Sequence, residues 1–416
     1  MRRIFALFSL LVVSAAGLRV VLVILAAVFI ARTAAAQPLS VQGQVSTWFT
    51  LNDADPSTPS VGVRYVPALS FEHQLPESRL IDGEISINAF GFGESPGWDD
   101  LDTTGRLKLY RGWGRFKTSR FEGRVGLQKI NFGSALLLRP LRWFDSVDPR
   151  DPLQITEGVY ALLVREYFPR NFTVWAWGLY GNEHLKGLEF SPTRERTPEF
   201  GGRFQAPLSK GEIAFTTHHR RADLSKGLTS VGAGEDPVAH ESRYGLDGKW
   251  DVGIGLWFEA AAIRQTRRGL SSADSAALTL GADYTFGVGN GLHVLGEYFV
   301  QETSREMFGE PVSARFSATS LNYPLGLLDS LSAILYVDTT RTDVYRFLYW
   351  QRTYDRWQFY LMGFWNPRQL AIVSQSATSV GRNALSGRGF QIMAVFNHAT
   401  GKKSARAPSG NLETLR

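Results

Sequence analysis

The dominant pattern along the chain is an alternation of apolar and polar residues in segments of roughly ten residues. In the clearest segment, Leu80 to Ala89, apolar residues at the odd positions alternate with polar residues that include Asp82 and Glu84. The segment from Ala276 to Phe286 repeats the pattern, with Asp283 among its polar positions. Successive side chains of a β-strand point to opposite faces, so each segment predicts a strand with one apolar and one polar face.

About eighteen such segments follow one another, and the connections between them alternate between short and long. A membrane barrel shows this rhythm because short periplasmic turns alternate with long external loops, whereas a soluble sandwich has no reason to show it. The sequence therefore predicts an all-β fold, a single transmembrane antiparallel β-barrel of about 18 strands (16–18). The predicted strands begin near Val41, Val61, Arg79, Gly105, Phe121, Val159, Phe172, Phe200, Glu212, Arg243, Val252, Ala276, Leu292, Ser313, Leu331, Asp343, Trp357 and Gly389.

The first 36 residues differ from the rest of the chain. Two arginines precede long apolar runs, and Ala34 and Ala36 form a small-residue cleavage pattern before Gln37. This predicts a cleaved signal peptide over 1–36, a barrel over 37–397 and a disordered basic tail over 398–416. An uncleaved membrane anchor is the alternative, and a translation start near Leu18 or Val20 would give a leader of ordinary length.

Charge and cysteine content narrow the function classes. The chain carries 45 Lys and Arg against 39 Asp and Glu, and four of the arginines lie in the first 36 residues. The remainder is close to neutral, which argues against a nucleic-acid partner. The chain has no cysteine, which fits export to an oxidising compartment.

The segment between Gly133 and Gly158 is the third external loop when strands are counted from Val41. It opens with leucines, contains three prolines and carries both signs of charge, which suits a loop that folds into the lumen and narrows it. The alternative is a loop over the mouth of the barrel whose charges pair with one another. The predicted constriction residues are Arg139, Arg142, Asp145, Asp148, Arg150 and Asp151.

Strand parity predicts further residues on the inner face of the barrel. They carry both signs of charge, which argues against a pathway for ions of one sign. The alternative is that these residues only neutralise one another inside a filled barrel. The predicted lumen-lining residues are Asp82, Glu84, Arg124, Gln128, Arg243, Asp247, Glu259, Asp283, Glu297, Arg315 and Arg346.

Two sequence pieces near this loop resemble known barrels. They are Gly126-Leu127-Gln128 with Asn131-Phe132-Gly133, and Phe144-Asp145 with the run from Asp148 to Pro152. In these the chain is similar to the alginate-export-like and large monomeric porin group of outer-membrane proteins. The resemblance implies a monomeric channel of roughly eighteen strands, and the third loop is similar in placement to the inward-folded loop of trimeric general porins.

The resulting hypothesis is an outer-membrane channel for small polar or charged solutes, including anionic ones. Its expected partners are outer-membrane lipid and the barrel-assembly machinery. A non-conducting structural or receptor barrel, and an export barrel for an anionic polysaccharide, are the alternatives. An enzyme, a cofactor and a metal site are not expected, because His218 and His219 would point to opposite faces of a strand and no metal-ligand spacing occurs.

Overall fold

The structure, a computed structural model, is a closed barrel of eighteen antiparallel strands. It describes residues 39–53, 57, 59–95, 102–227, 237–267, 273–304, 312–367 and 385–400. Each strand pairs with its neighbours in the chain, and the first strand pairs with the last, from Val41 opposite Thr400 to Asn52 opposite Gly389. Closure leaves no free sheet edge, as a membrane-spanning sheet requires. The predicted fold class is confirmed.

The observed strands begin within five residues of the predicted starts, and the largest difference is at the tenth strand, which begins at Val238 instead of Arg243. The strands are β1 (Leu39–Asn52), β2 (Ser60–Leu75), β3 (Arg79–Glu94), β4 (Asp102–Lys117), β5 (Phe121–Gln128), β6 (Val159–Tyr167), β7 (Thr173–Leu179), β8 (Glu199–Leu208), β9 (Gly211–Asp223), β10 (Val238–Asp251), β11 (Gly255–Thr266), β12 (Ala273–Phe286), β13 (Leu292–Ser304), β14 (Val312–Pro324), β15 (Asp329–Asp338), β16 (Asp343–Thr353), β17 (Trp357–Trp365) and β18 (Arg388–Thr400).

The two ends of the barrel differ in the length of their connections. Connections after even-numbered strands have two to five residues, as at 209–210 and 168–172. Connections after odd-numbered strands reach 30 residues in the third loop (129–158), 19 in the fourth loop (180–198) and 22 in the last loop (366–387). These two ends are called the short-turn end and the long-loop end below.

The predicted alternation of side chains is present all round the barrel. Large apolar side chains are exposed on the outward face, as at Ile85, Val125, Leu280 and Ile392. Their neighbours along the same strands, such as Ser86, Thr279 and Gln391, are buried on the inward face. This arrangement places apolar side chains toward lipid and polar side chains toward the lumen.

Two parts of the inward face differ in chemistry. On β8 to β13 eight of the buried inward residues are charged, and we call this surface the charged wall: Glu199, Arg203, Arg220, Glu241, Arg243, Asp247, Glu259 and Glu297. On β15 to β17 they are mainly aromatic or aliphatic, and we call this surface the aromatic wall: Ile334, Tyr336, Tyr345, Phe347, Tyr349, Tyr360, Met362 and Phe364.

The termini of the chain lie partly beyond this description. The predicted signal peptide, 1–36, and residues 401–416 of the predicted tail lie outside the described residues. The last strand includes residues 398–400, so strand structure continues past the predicted barrel boundary at 397. Within the described part of the chain, no helix combines the length and the apolar character that a membrane-spanning helix needs.

Candidate functional site

The third loop leaves β5 and turns against the inward face of the charged wall. Gly133 has φ +102°, and a Cβ there would lie 2.3 Å from Oε2 of Glu259. Glycine is therefore required at this position, both for its backbone conformation and for the close approach to the carboxylate. Since Glu259 is buried on the inward face of β11, the loop lies inside the barrel from this point.

Two carboxylates of the charged wall hold the first part of the loop through its backbone. Glu259 accepts hydrogen bonds from the N–H groups of Ala135 (2.9 Å) and Leu141 (2.5 Å). Glu297 accepts from the three successive N–H groups of residues 136, 137 and 138, at 2.7, 3.0 and 2.6 Å. The indole of Trp257 donates a further bond of 3.0 Å to Glu297. Converging N–H groups of this kind form a small anion-binding cradle, which the wall carboxylate fills.

Side chains of the loop also contact the aromatic wall. Leu137 and Leu138 pack against the cluster formed by residues such as Tyr336 and Phe347. Beyond them, the Tyr349 hydroxyl donates a 2.8 Å hydrogen bond to the carbonyl oxygen of Arg150. The loop is thus attached to strands from both sides of the inward face.

A third attachment lies near the closure of the barrel. Leu153 packs against a cluster that includes Trp48 of β1, Phe92 of β3 and Met393 of β18. The chain then returns to β6 at Val159. Together the three attachments carry the loop across the lumen instead of along one side of it.

Four of the six predicted constriction residues are paired within the loop. Arg139 forms a two-point ion pair with Asp145, at 2.8 and 3.0 Å. Arg150 forms another with Asp148, at 2.8 and 2.7 Å. Such paired, planar contacts are the strongest kind of side-chain hydrogen bond. These charges neutralise one another locally, as in the alternative of paired loop charges, so they do not form opposed rows facing the lumen.

The pairing outweighs burial in setting the protonation of both acids. Burial alone would raise the pKa of the Asp145 carboxyl, but the Arg139 guanidinium lowers it below its ordinary value. Burial alone would likewise raise the pKa of the Asp148 carboxyl, but the Arg150 guanidinium lowers it below its ordinary value. Both carboxylates are therefore charged at neutral pH.

The two other predicted constriction residues have different surroundings. Arg142 donates a 3.1 Å hydrogen bond to the carbonyl oxygen of Val147. Asp151 accepts bonds from the backbone N–H groups of Leu153 (3.0 Å) and Ile155 (3.4 Å). Burial raises the pKa of the Asp151 carboxyl, and the nearby Arg64 guanidinium offsets that effect only in part.

Most of the predicted lumen residues lie on the inward face. Asp82, Gln128, Arg243, Asp247, Glu259 and Glu297 are buried there, while Glu84, Arg124 and Asp283 are partly exposed at inward positions of their strands. Asp247 pairs with Arg203 at 2.6 and 2.9 Å and accepts a 3.1 Å bond from Ser134 of the third loop. Asp283 contacts His293 at 3.1 Å.

Two predicted lumen residues are on the wrong face. Arg346 is exposed between the buried inward residues Tyr345 and Phe347, so it points outward. On β14, Ala318 is buried on the inward face. Arg315 lies three residues before it and is exposed, so its side chain points outward. Both lie near the long-loop end, where charged residues on the outward face reach water or lipid headgroups, so charge alone did not identify the lumen.

The sequence reasoning missed a buried charge network at the fourth loop. Glu189 of this loop contacts both Arg220 (3.1 Å) and Arg243 (2.9 Å). Glu241 lies between the same two arginines, at 2.6 Å from each. Nearby, Lys186 contacts Glu199 at 3.0 Å. Inward parity of β9 could have indicated Arg220, but the loop partners depend on how the fourth loop folds.

The two loops are joined at one close contact. The backbone N–H of Leu188 donates a 3.1 Å hydrogen bond to the carbonyl oxygen of Arg142. A Cβ at the neighbouring Gly187, where φ is +50°, would lie 2.0 Å from that same oxygen. The fourth loop therefore supports the third from the side of the charged wall.

A second group lies toward the short-turn end, on β3 to β6, and joins the predicted lumen residues Asp82 and Arg124 to residues that were not predicted. Glu122 contacts Arg124 (3.0 Å), Arg165 (3.3 Å) and Arg115 (3.5 Å), and Arg115 also pairs with Asp82. The guanidinium of Arg165 lies over the ring of Trp175, 4.0 Å from its centre. These ion pairs bring three arginines together with two acids.

The histidines of β9 point to opposite faces, as predicted. His218 is fully buried between Glu199 (3.0 Å) and the Trp177 indole (3.3 Å), whereas His219 contacts Ser242 at 3.0 Å. Across the described ranges, no group of three or more metal-ligating side chains comes together.

Comparison with known proteins identifies the fold. No protein-family model and no curated protein sequence matches the chain. Among solved structures, OccAB1 of Acinetobacter baumannii matches with a TM-score of 0.51 over 87% of this chain and 96% of its own, at 7% identity. An anion-selective porin from Comamonas acidovorans matches with a TM-score of 0.48 over 86% of this chain and 99% of its own, at 12% identity.

OmpT, an outer membrane protein of Vibrio cholerae, matches with a TM-score of 0.48 over 86% of this chain and 99% of its own, at 11% identity. At these identities the comparisons bear on the fold alone, and none of them tests the alginate-export-like resemblance. The match to OccAB1 agrees with the closed sheet of eighteen strands, so the chain has the fold of a porin-type β-barrel.

Proposed function

We propose that this protein is an outer-membrane channel for small polar or charged solutes, narrowed by its third loop. The observation that carries the proposal is the path of that loop, which is held by Glu259 and Glu297 on one wall and by Tyr349 on the other. A loop fixed at both sides of the inward face leaves restricted passages beside it, and polar groups line them.

The location and partners belong to the same proposal. An apolar outward face supports residence in a lipid bilayer, and the predicted signal peptide over 1–36 would direct export to the outer membrane. The barrel-assembly machinery would then insert the chain. Membership in the alginate-export-like and large monomeric porin group stays a proposal based on the resemblance near the third loop.

The proposed solutes are small and include anions. Because Arg139 and Arg150 are paired inside the loop, selectivity would come mainly from the lumen beyond it. There, the group formed by Arg115, Arg124 and Arg165 carries one more charge than its acids Asp82 and Glu122. A small positive excess in a narrow, low-dielectric passage favours anions over cations of similar size.

Planar-bilayer recording of the refolded, purified protein tests the proposal. We expect discrete conductance steps, and a severalfold larger step for a variant in which residues 135–156 are replaced by a short Gly-Ser linker. A reversal potential in a salt gradient should indicate anion preference, and Arg124→Ala with Arg165→Ala should reduce it. Wild-type protein that gives no steps, while the loop-shortened variant does, would show a channel closed by its loop.

A non-conducting barrel is the second candidate function. One specific observation favours it: the third loop crosses the lumen and the fourth loop joins it at Arg142, so two loops occupy the charged-wall side. In that case the loops would plug the barrel, and the protein would act as a receptor or structural element. Absence of conductance in both the wild type and the loop-shortened variant would support this function over a channel.

A further inference from the structure

The outward face carries an unusual row of side chains across β16, β17 and β18. Arg346 pairs in register with Trp365, and Trp365 pairs with Arg388. All three side chains are exposed, and two residues further along their strands lie the exposed apolar residues Leu348 and Phe390. The row therefore lies where the apolar outward surface ends, on the side of the long-loop end.

The three side chains border an open cleft of about 540 Å³, which is also lined by Val344, Asn366 and Pro367. Adjacent strands are about 4.8 Å apart, so the two arginines start roughly 10 Å from each other on either side of the tryptophan. Arginine side chains are long enough to converge on one group in such a gap, and their planar donors match the oxygens of a phosphate.

The backbone around the cleft is held in place by hydrogen bonds. The Asn366 side chain accepts a 3.1 Å bond from the N–H of Arg346 and donates a 2.7 Å bond to the carbonyl oxygen of Leu385. The carboxylate of Asp53 accepts a 2.6 Å bond from the N–H of Arg388. The nearby acid is thus engaged with backbone, and among the described residues neither guanidinium has an acidic partner within ion-pair distance.

We propose that this cleft binds the phosphate group of a lipid in the outer leaflet of the membrane, with Arg346 and Arg388 on the phosphate and Trp365 at the boundary of the acyl chains. Tryptophan is well suited to that boundary because its ring is apolar and its N–H is polar. The site faces lipid instead of the lumen, so the proposal depends on the membrane location given above and not on conduction.

Arg315 provides a matched control. It is also exposed on the outward face near the long-loop end, beside a second shallow cleft that Tyr298 borders. Among the residues that the structure describes, no second arginine lines that cleft. General attraction between an anionic lipid and surface arginines would involve Arg315 as well, whereas a built phosphate site would not.

Native mass spectrometry of the full-length protein in detergent tests the proposal without requiring a bilayer. The probes are bis-phosphorylated lipid A, the same glycolipid without its phosphates, and inorganic phosphate as a competitor. We expect one tightly bound bis-phosphorylated lipid on the wild type. The affinity of the double variant Arg346→Ala with Arg388→Ala should be lower by a factor of about ten or more. Arg315→Ala should bind as the wild type does, and Arg346→Lys with Arg388→Lys should be intermediate.

The outcomes separate the sources of the phosphate. Loss of lipid at millimolar inorganic phosphate, with no preference for the lipid over the free ion, would overturn the assignment to a lipid. Equal binding of the phosphate-free glycolipid, equal binding by the double alanine variant, or an equal loss in Arg315→Ala would overturn the site itself. Far-UV circular dichroism and the heat-dependent gel mobility of each variant establish that the barrel is folded.

Discussion

The charged wall and the aromatic wall hold the same loop by different means. On the charged wall, Glu259 and Glu297 accept hydrogen bonds from loop backbone that would otherwise be unpaired in a confined space. On the aromatic wall, Leu137 and Leu138 pack against rings, and Tyr349 donates a hydrogen bond to the loop. Polar anchoring fixes the direction of the backbone, whereas apolar packing fixes its distance from the wall. The loop needs both to cross the lumen in one conformation.

Removing the polar anchors should have the largest effect. In Glu297→Gln, the amide NH₂ cannot accept, so at least part of the set of bonds from residues 136–138 is lost, at a cost of about 2–4 kcal/mol to loop docking. We expect larger and noisier conductance steps and faster cleavage of the loop by added protease. Glu302→Gln is the control, because Glu302 is exposed at an outward position of the same strand. Equal behaviour of the two variants would contradict the anchoring role.

Removing the hydrogen bond from Tyr349 to the loop should have a smaller effect. Tyr349→Phe deletes only the hydroxyl that donates to the Arg150 carbonyl, at a cost of about 1 kcal/mol. We expect more frequent brief openings in single-channel records, with the mean conductance nearly unchanged.

The matched control for that hydroxyl is Tyr360→Phe. Its hydroxyl donates a 3.3 Å hydrogen bond to Gln358 of its own strand, so this change removes a hydroxyl whose hydrogen bond goes to its own strand and not to the loop. A Tyr349→Phe record that matches the Tyr360→Phe record would show that the aromatic wall holds the loop by packing alone.

The smallest expected effect is that of mild acid. The pKa values of Asp145 and Asp148 are lowered in the folded loop, so their ion pairs stabilise it above the unfolded pKa of about 3.9 and lose that contribution as the pH falls through the folded values. The effect of pH on Asp151 has the opposite sign. Its pKa is raised in the folded loop, so its charged form is unfavourable there and its protonation stabilises the loop. We therefore expect unchanged conductance from pH 7 to about pH 5. A step change in that range that persists in Asp151→Asn would mean that the two ion pairs do not hold the loop.

The barrel could be predicted closely because its physics is local. A two-residue period and turn residues define each strand, and they placed Arg79, Phe121, Val159, Asp343 and Trp357 at observed strand starts. The position of the third loop in the strand order followed from counting. The faces of Arg315 and Arg346 did not, because near the strand ends both faces accept a charge.

The interior of the barrel was harder to predict because its contacts are distant in sequence. Leu136 and Glu297 are 161 residues apart, and Tyr349 and Arg150 are 199 apart. No local pattern indicates that Glu297 binds loop backbone or that Glu189 of the fourth loop lies between Arg220 and Arg243. Similarly, the sequence showed that the third loop carries both signs of charge, but only the fold shows that Arg139 and Arg150 are neutralised inside it.

Cysteine cross-linking tests most directly that the third loop lies inside the barrel against the charged wall. The natural chain has no cysteine, and a Cβ built on Gly245 lies 3.5 Å from Cγ of Leu141, which is roughly where a cysteine sulfur would be; a disulfide needs about 3 Å between one Cβ and the far sulfur. Under mild oxidation, Leu141→Cys with Gly245→Cys should form an intramolecular disulfide and keep the wild-type conductance. The pair Leu141→Cys with Leu246→Cys should not, since Leu246 is exposed on the outward face. No disulfide in the first pair, or equal yields in both, would contradict the account.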